Sequence, residues 1–143
     1  MQKCCFFIGH RESPASLQPQ VEQTVERLIA EEDVKWFVVG HRGGFDRLVH
    51  SALAEVKKRH PEITLMLLLA YHPGSNPVPL PQGFDESLYP EGMENVPKML
   101  AIPRSNRLMV DQSSHLIAHC TRSGGNTAKL VEYARKRLTV ICV

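Results

Sequence analysis

Trp36-Phe37-Val38-Val39-Gly40-His41-Arg42-Gly43-Gly44-Phe45-Asp46-Arg47-Leu48-Val49 decides the fold. The apolar run Trp36 to Val39 reads as a buried strand stopped by Gly40. Beyond the glycine turn, Phe45, Leu48, Val49, Ala52, Leu53 and Val56 recur at i, i+3, i+4, i+7, i+8 and i+11. That spacing puts one apolar stripe on a helix, which Pro61 ends. A strand that feeds a glycine turn and then a helix is the building block of parallel α/β sheets.

The same pattern recurs on both sides of this stretch. Cys4 to Ile8 is a short strand closed by Gly9, and Leu17, Val21, Val25, Leu28 and Ile29 mark a helix from about Ser16 to Glu32. Thr64 to Ala70 is apolar on both faces, as a parallel strand covered on two sides should be. A helix near Arg104 to Ser113, a strand over Leu116 to Cys120, a helix carrying Leu130, Val131, Ala134 and Leu138, and a strand over Thr139 to Val143 complete the series. The alternation, with no hairpin signal, predicts an α/β fold: a Rossmann-like, doubly wound three-layer sandwich. Its sheet is expected to be mostly parallel and five-stranded, in the order 3-2-1-4-5. The switch point then falls between strands one and four, and open α/β sheets bind ligands beyond the strand C-termini at that point.

Length and composition predict one domain over residues 1–143, with 43% hydrophobic and 22% charged residues. The net charge of +2 gives no electrostatic case for a nucleic-acid or acidic-membrane partner. The basic clusters Lys57-Lys58-Arg59 and Arg135-Lys136-Arg137 fall in the last turns of predicted helices, where cations complement the dipole. Cys4, Cys5, Cys120 and Cys142 all lie in strand-like apolar runs without a Cys-x-x-Cys pair, which predicts reduced thiols. The apolar runs are too short for a signal-peptide core or a membrane span, so a cytoplasmic protein is expected. Self-association stays open.

Tyr71 to Pro97 breaks the regularity and holds six of the ten prolines. A long Pro-rich loop of this kind is predicted to form a lid over the site. Its Tyr71, Phe84 and Tyr89 are candidates to stack on a base, and its Asp85, Glu86, Glu91 and Glu94 to supply an acid.

The sequence excludes several chemistries. It has no Gly-x-Gly-x-x-Gly, no Gly-Lys-Ser/Thr and no Gly-x-Ser-x-Gly. A dinucleotide dehydrogenase, a P-loop NTPase and an α/β-hydrolase are therefore not expected. Its histidines lack ligand spacing on any predicted helix, so neither a metal nor a cofactor is predicted.

Three strand ends run into glycines, and two of these turns open helices, the arrangement that binds anions. Gly124, Gly125, Asn126 and Thr127, preceded by Thr121 and Ser123, form the strongest candidate, since glycines admit a phosphate and Thr127 adds a hydroxyl. Gly40, Gly43 and Gly44 form a second candidate, with Asp46 placed either to bond a ribose hydroxyl or to complement the helix dipole. Gly9, His10 and Arg11 end the first strand, and an arginine there suits bidentate phosphate binding. Arg104 and Arg107 lie on the helix expected to flank the same cleft.

Phe7-Ile8-Gly9-His10-Arg11, Gly43-Gly44-Phe45-Asp46, Tyr89-Pro90, Arg107 to Asp111 with Ser113-Ser114, and Gly124-Gly125-Asn126-Thr127 occur in that order over nearly the whole chain. Together they resemble the SLOG superfamily, a Rossmann-like set related to the lonely-guy phosphoribohydrolases and to DNA-processing protein A, and above all its small bacterial branch. The resemblance implies a pocket for a nucleotide or nucleotide derivative. The lonely-guy enzymes cleave an N-glycosidic bond to ribose 5′-phosphate with a Pro-Gly-Gly-x-Gly-Thr-x-x-Glu motif and an arginine on the preceding helix. Here Ser123 stands at the proline, the third glycine is absent, and Glu132 follows Thr127 by five residues rather than three. The phosphate cradle of the motif is kept and its glutamate is displaced. The expectation is thus a nucleotide-binding or nucleotide-sensing domain. The alternative is a phosphoribohydrolase acting on nucleoside monophosphates, with Asp46, Glu86, Glu91 and Arg107 as catalytic candidates.

Overall fold

The computed structural model describes residues 3–74, 77–121 and 124–143. Its regular elements are β1 (Cys4–Gly9), α1 (Gln18–Glu32), β2 (Trp36–Val39), α2 (Gly44–Arg59), β3 (Thr64–Leu68), β4 (Glu86–Leu88), α3 (Ala101–Gln112), β5 (His115–His119), α4 (Asn126–Arg135) and β6 (Thr139–Cys142). The strands form one sheet in the order β4-β3-β2-β1-β5-β6, and every neighbouring pair is parallel.

Alternation along the strands builds two cores. Cys5, Phe7, Phe37, Val39, Leu65, Leu67 and Ile117 cluster with the apolar stripes of α1 and α2. Their neighbours Cys4, Phe6, Val38, Met66, Leu68, Leu116 and Ala118 cluster with Met109 and Val110 of α3 and Leu130, Val131 and Ala134 of α4. Side chains one residue apart point to opposite faces, so apolar residues at every strand position require helices on both sides. The result is the doubly wound three-layer sandwich.

The sheet has six strands rather than five. The added strand is β4, inside the segment read from sequence as a lid loop, and it pairs with β3 at the edge. Three residues with a single apolar side chain, Leu88, carry no readable periodicity. Backbone pairing instead fixes the strand: Asp85 N–H bonds to Leu65 O at 2.9 Å, and Leu69 N–H bonds to Leu88 O at 2.8 Å. The Asp85 carboxylate accepts Leu65 N–H at 2.8 Å and pairs with Lys57 at 2.9 Å. Much of the expected lid is thus bound to the sheet edge, with 3-10 turns at Met93–Asn95 and Lys98–Leu100 leading into α3.

α3 also begins at Ala101, three residues before the start expected from sequence. Pro103 is its third residue. Within the first helical turn a proline has no intrahelical N–H bond to lose, so the helix starts ahead of it.

Candidate functional site

β1 lies between β2 and β5, and the chain winds outward from β1 to β2 on one side and from β5 to β6 on the other. The C-terminal end of β1 is therefore the switch point of the sheet. An open cleft of about 810 Å³ sits there. This is within the range of about 300–1,000 Å³ common for small-molecule sites.

One wall of the cleft is the start of α4. Gly124, Gly125, Asn126, Thr127 and Lys129 all line it. Gly124 has φ of 82°, a conformation that favours glycine, and Gly125 caps the helix in extended conformation at φ −89°. Among the described residues, a side chain built at either glycine would meet nothing within 4 Å. Among the described residues no side chain caps this helix, whose first residues line the cleft and bring the positive end of the dipole to it. Lys129 enters from the same first turns and was not singled out in the sequence. Its position three residues after Asn126 is the signal that it shares that face.

The other walls add cations. Arg11 follows β1, Arg42 follows β2 and Arg107 comes from α3, and all three line the cleft. The Arg42 guanidinium lies 5.1 Å from the centre of the Tyr71 ring, and that of Arg107 lies 5.2 Å from the centre of Tyr133. These rings hold the cations without neutralising them. Among the described residues, none of Arg11, Arg42, Arg107 and Lys129 forms a salt bridge with a carboxylate. Met99, 91% exposed, with Ile102 and Pro103, supplies an apolar rim.

The glycines of the second turn have a different use. The N–H of Gly44 bonds to Arg11 O at 2.6 Å, and a Cβ on Gly44 would stand 2.5 Å from that same oxygen. Gly43, at φ 89°, would bring a Cβ within 2.9 Å of the Arg11 backbone. These two glycines admit the chain after β1 rather than a ligand. Gly9 similarly makes room for the Phe45 ring. His10 is buried, and its Nε2 accepts the N–H of Thr121 at 2.9 Å. The ring therefore carries a proton on Nδ1, and it ties the end of β1 to the segment after β5.

The remaining sequence candidates fall elsewhere. Arg104 is exposed and lines neither cavity of this region. Glu86 lies on the edge strand and Glu91 in the exposed turn that follows, also away from the cleft. Asp85 is engaged with Lys57, and Glu94 is exposed. Phe84 packs against His50 and Tyr89 against His72, so of the three lid aromatics only Tyr71 approaches the cleft, through Arg42. Glu132 is exposed and pairs with Arg135 at 3.5 Å. Ser123 lies outside the described residues. Among the described residues, no group of three or more His, Cys, Asp or Glu is placed to hold a metal ion.

A recess of about 100 Å³ adjoins the cleft and shares Ile8, Gly9, Arg42, Ile102 and Asn106 with it. Asp46 is its one carboxylate and is only 8% exposed. Its Oδ2 accepts the N–H of Arg42 at 2.8 Å. His50 steadies the same turn, with a ring nitrogen donating to Gly40 O at 2.8 Å. Burial raises the Asp46 carboxyl from 3.8 to about 6, and the Arg42 N–H bond with the nearby Arg42 and Arg47 charges only partly opposes the shift.

Folded Asp46 therefore holds its proton more tightly than the unfolded chain does. This part of the stability is full below about pH 4 and is lost as pH rises through about 6. The amide introduced by Asp46→Asn does not titrate, and its oxygen can still accept Arg42 N–H. Asp46→Asn should then be more stable than wild type above about pH 6, by up to roughly 3 kcal/mol, with the gap closing toward pH 4. Urea midpoints at the two ends of this range check the sign. A variant less stable than wild type at neutral pH would make Asp46 a structural anchor instead.

No protein-family model matches the chain, and no curated protein does. The fold and the site are those of a Rossmann-like α/β domain with an anion-suited cleft at its switch point.

Proposed function

We propose that this protein binds a nucleotide or nucleotide-derived small molecule, holding its phosphate against the start of α4. One observation carries the reading: the glycine-led N-terminus of α4 lines a cleft that also holds Arg11, Arg42, Arg107 and Lys129. Helix N–H groups and guanidinium forks both donate to phosphate oxygens, and their charge favours an anion. The cleft volume suits a nucleotide, and its apolar rim suits a base. The residues that resemble the SLOG superfamily at Gly9 to Arg11 and Gly124 to Thr127 line this cleft or brace it, which supports the same reading. No helix among the described residues is long and apolar enough to cross a membrane.

A thermal-shift screen over mononucleotides, dinucleotides and ADP-ribose tests it. Ligand at 100 times its dissociation constant should add about 2.7 kcal/mol and raise the Tm. A flat screen would count against the reading.

Asp46 favours a second reading, a phosphoribohydrolase of nucleoside monophosphates. Among the described residues it is the one carboxylate lining either cavity, and its pKa of about 6 suits acid–base work. The lid acids, by contrast, lie away from the cleft. Incubation of the purified protein with each nucleoside monophosphate separates the two readings. A binding or sensing domain releases no free base above background over hours, whereas the hydrolase releases base and loses about 10²- to 10⁴-fold of its turnover in Asp46→Asn.

A further inference from the structure

The recess beside the cleft has features that a phosphate cradle does not need. Its volume of about 100 Å³ is enough for several waters or for one edge of a larger group. It takes one edge of a ligand, of a sugar or of a base, rather than a whole nucleotide. Its chemistry narrows the occupant further. Oδ2 of Asp46 is taken by the Arg42 N–H, and among the described residues the carboxylate has no other hydrogen-bond partner. No fully buried side-chain oxygen is left without a partner among the described residues, so Oδ1 keeps some surface of its own, and Asp46 lines the recess. Ser105, 1% exposed, donates its hydroxyl to Ile102 O at 3.0 Å and keeps only acceptor capacity. These groups ask for a hydrogen-bond donor. An ammonium group would meet Arg42, and a phosphate would meet the carboxylate. A neutral hydroxyl suits both neighbours.

We propose that the recess is a subsite for the sugar hydroxyls of the ligand, with Asp46 accepting from them, so that the protein selects ribonucleotides over deoxyribonucleotides. This rests on the nucleotide reading of the cleft, and it adds the sugar as the point of discrimination. Gly40 belongs to the same device. A Cβ there would stand 3.1 Å from Asp46 Oδ2, so glycine leaves the carboxylate its place at the recess wall.

The discrimination has a defined size. A hydrogen bond to a charged acceptor in a buried site is worth about 10- to 100-fold in affinity. Removing the ligand hydroxyl leaves the carboxylate unsatisfied, which is how such sites reject the analogue.

The test is titration calorimetry with AMP, GMP, CMP and UMP, each against its 2′-deoxy and 3′-deoxy form, on wild type and Asp46→Asn. The expected result is that ribonucleotides bind wild type about 10- to 100-fold more tightly than at least one deoxy form. In Asp46→Asn that gap shrinks to a few-fold while the deoxy form binds as before. Gly40→Ala should narrow the gap in the same direction. Equal affinity for ribo and deoxy forms would overturn the subsite and leave the nucleotide reading standing. A gap that survives unchanged in Asp46→Asn would also overturn it, since another group would then read the sugar. Absence of binding by every nucleotide, ribo and deoxy alike, would overturn the nucleotide reading and this subsite with it.

Discussion

Gly125→Val should lower the affinity for the nucleotide that stabilises the protein by at least about 100-fold, while the fold survives. The two halves of this expectation have separate grounds. Gly125 has φ of −89° and ψ of 177°, an extended conformation that valine adopts readily. Among the described residues its Cβ would meet nothing within 4 Å, so none of them is overpacked. The residue caps α4, where valine is poorer than glycine, and the stability cost stays near about 1 kcal/mol. The valine methyl groups would stand over the first N–H groups of the helix, the side from which a phosphate approaches. Losing two charge-assisted hydrogen bonds, at about 1.5–3 kcal/mol each, gives the fold-change. Gly124→Ala behaves in the opposite way. At φ 82° an alanine is strained, so its main effect falls on the Tm. Calorimetry on Gly125→Val and thermal melts on both variants check the pair. Wild-type affinity in Gly125→Val would move the phosphate away from α4.

The sheet was legible because periodicity and alternation are strong local signals. Apolar runs of about four to seven residues, alternating for the most part with helical stripes, left few topologies open. What stayed hidden was β4. Glu86-Ser87-Leu88 has no pattern of its own, and it becomes a strand only because the open edge of β3 supplies partners. Of the sequence candidates, Arg11, Arg107, Gly124 and Gly125 line the cleft, Arg104, Gly43 and Gly44 do not, and Arg42 lines it without having been singled out. From sequence, Gly43-Gly44 and Gly124-Gly125 are the same kind of turn. The difference lies in what stands opposite: the Arg11 backbone fills the space over Gly43 and Gly44, and no described residue fills it over Gly124 and Gly125. Such a contact joins residues far apart in the chain and leaves no local signature. Lys129 and Asn106 were missed for a related reason. They matter only because α3 and α4 meet across the cleft, which a reading of single helices does not show.

Gly9→Ala should destabilise the protein by about 1–3 kcal/mol or more, and Phe45→Ala by about 3–5 kcal/mol. A Cβ on Gly9 would stand 2.5 Å from Cδ2 of Phe45 and closer still to its Cγ. The ring has no room to retreat, since Phe45 is fully buried and stacks on His119 with centres 6.2 Å apart. The close approach serves the site. Phe45 is the second residue of α2 and Asp46 the third, so the depth of the ring against β1 sets where the carboxylate stands in the recess. Phe45→Ala removes the atoms that Gly9→Ala strikes, so the two losses should fall short of additive by about 1 kcal/mol or more. Chemical denaturation of wild type, both single variants and the double variant measures that coupling. Strict additivity would mean that the absent side chain at Gly9 serves the cleft beside it. Coupling of the expected size would instead make the glycine a packing residue, acting on the ligand only through the helix it lets approach.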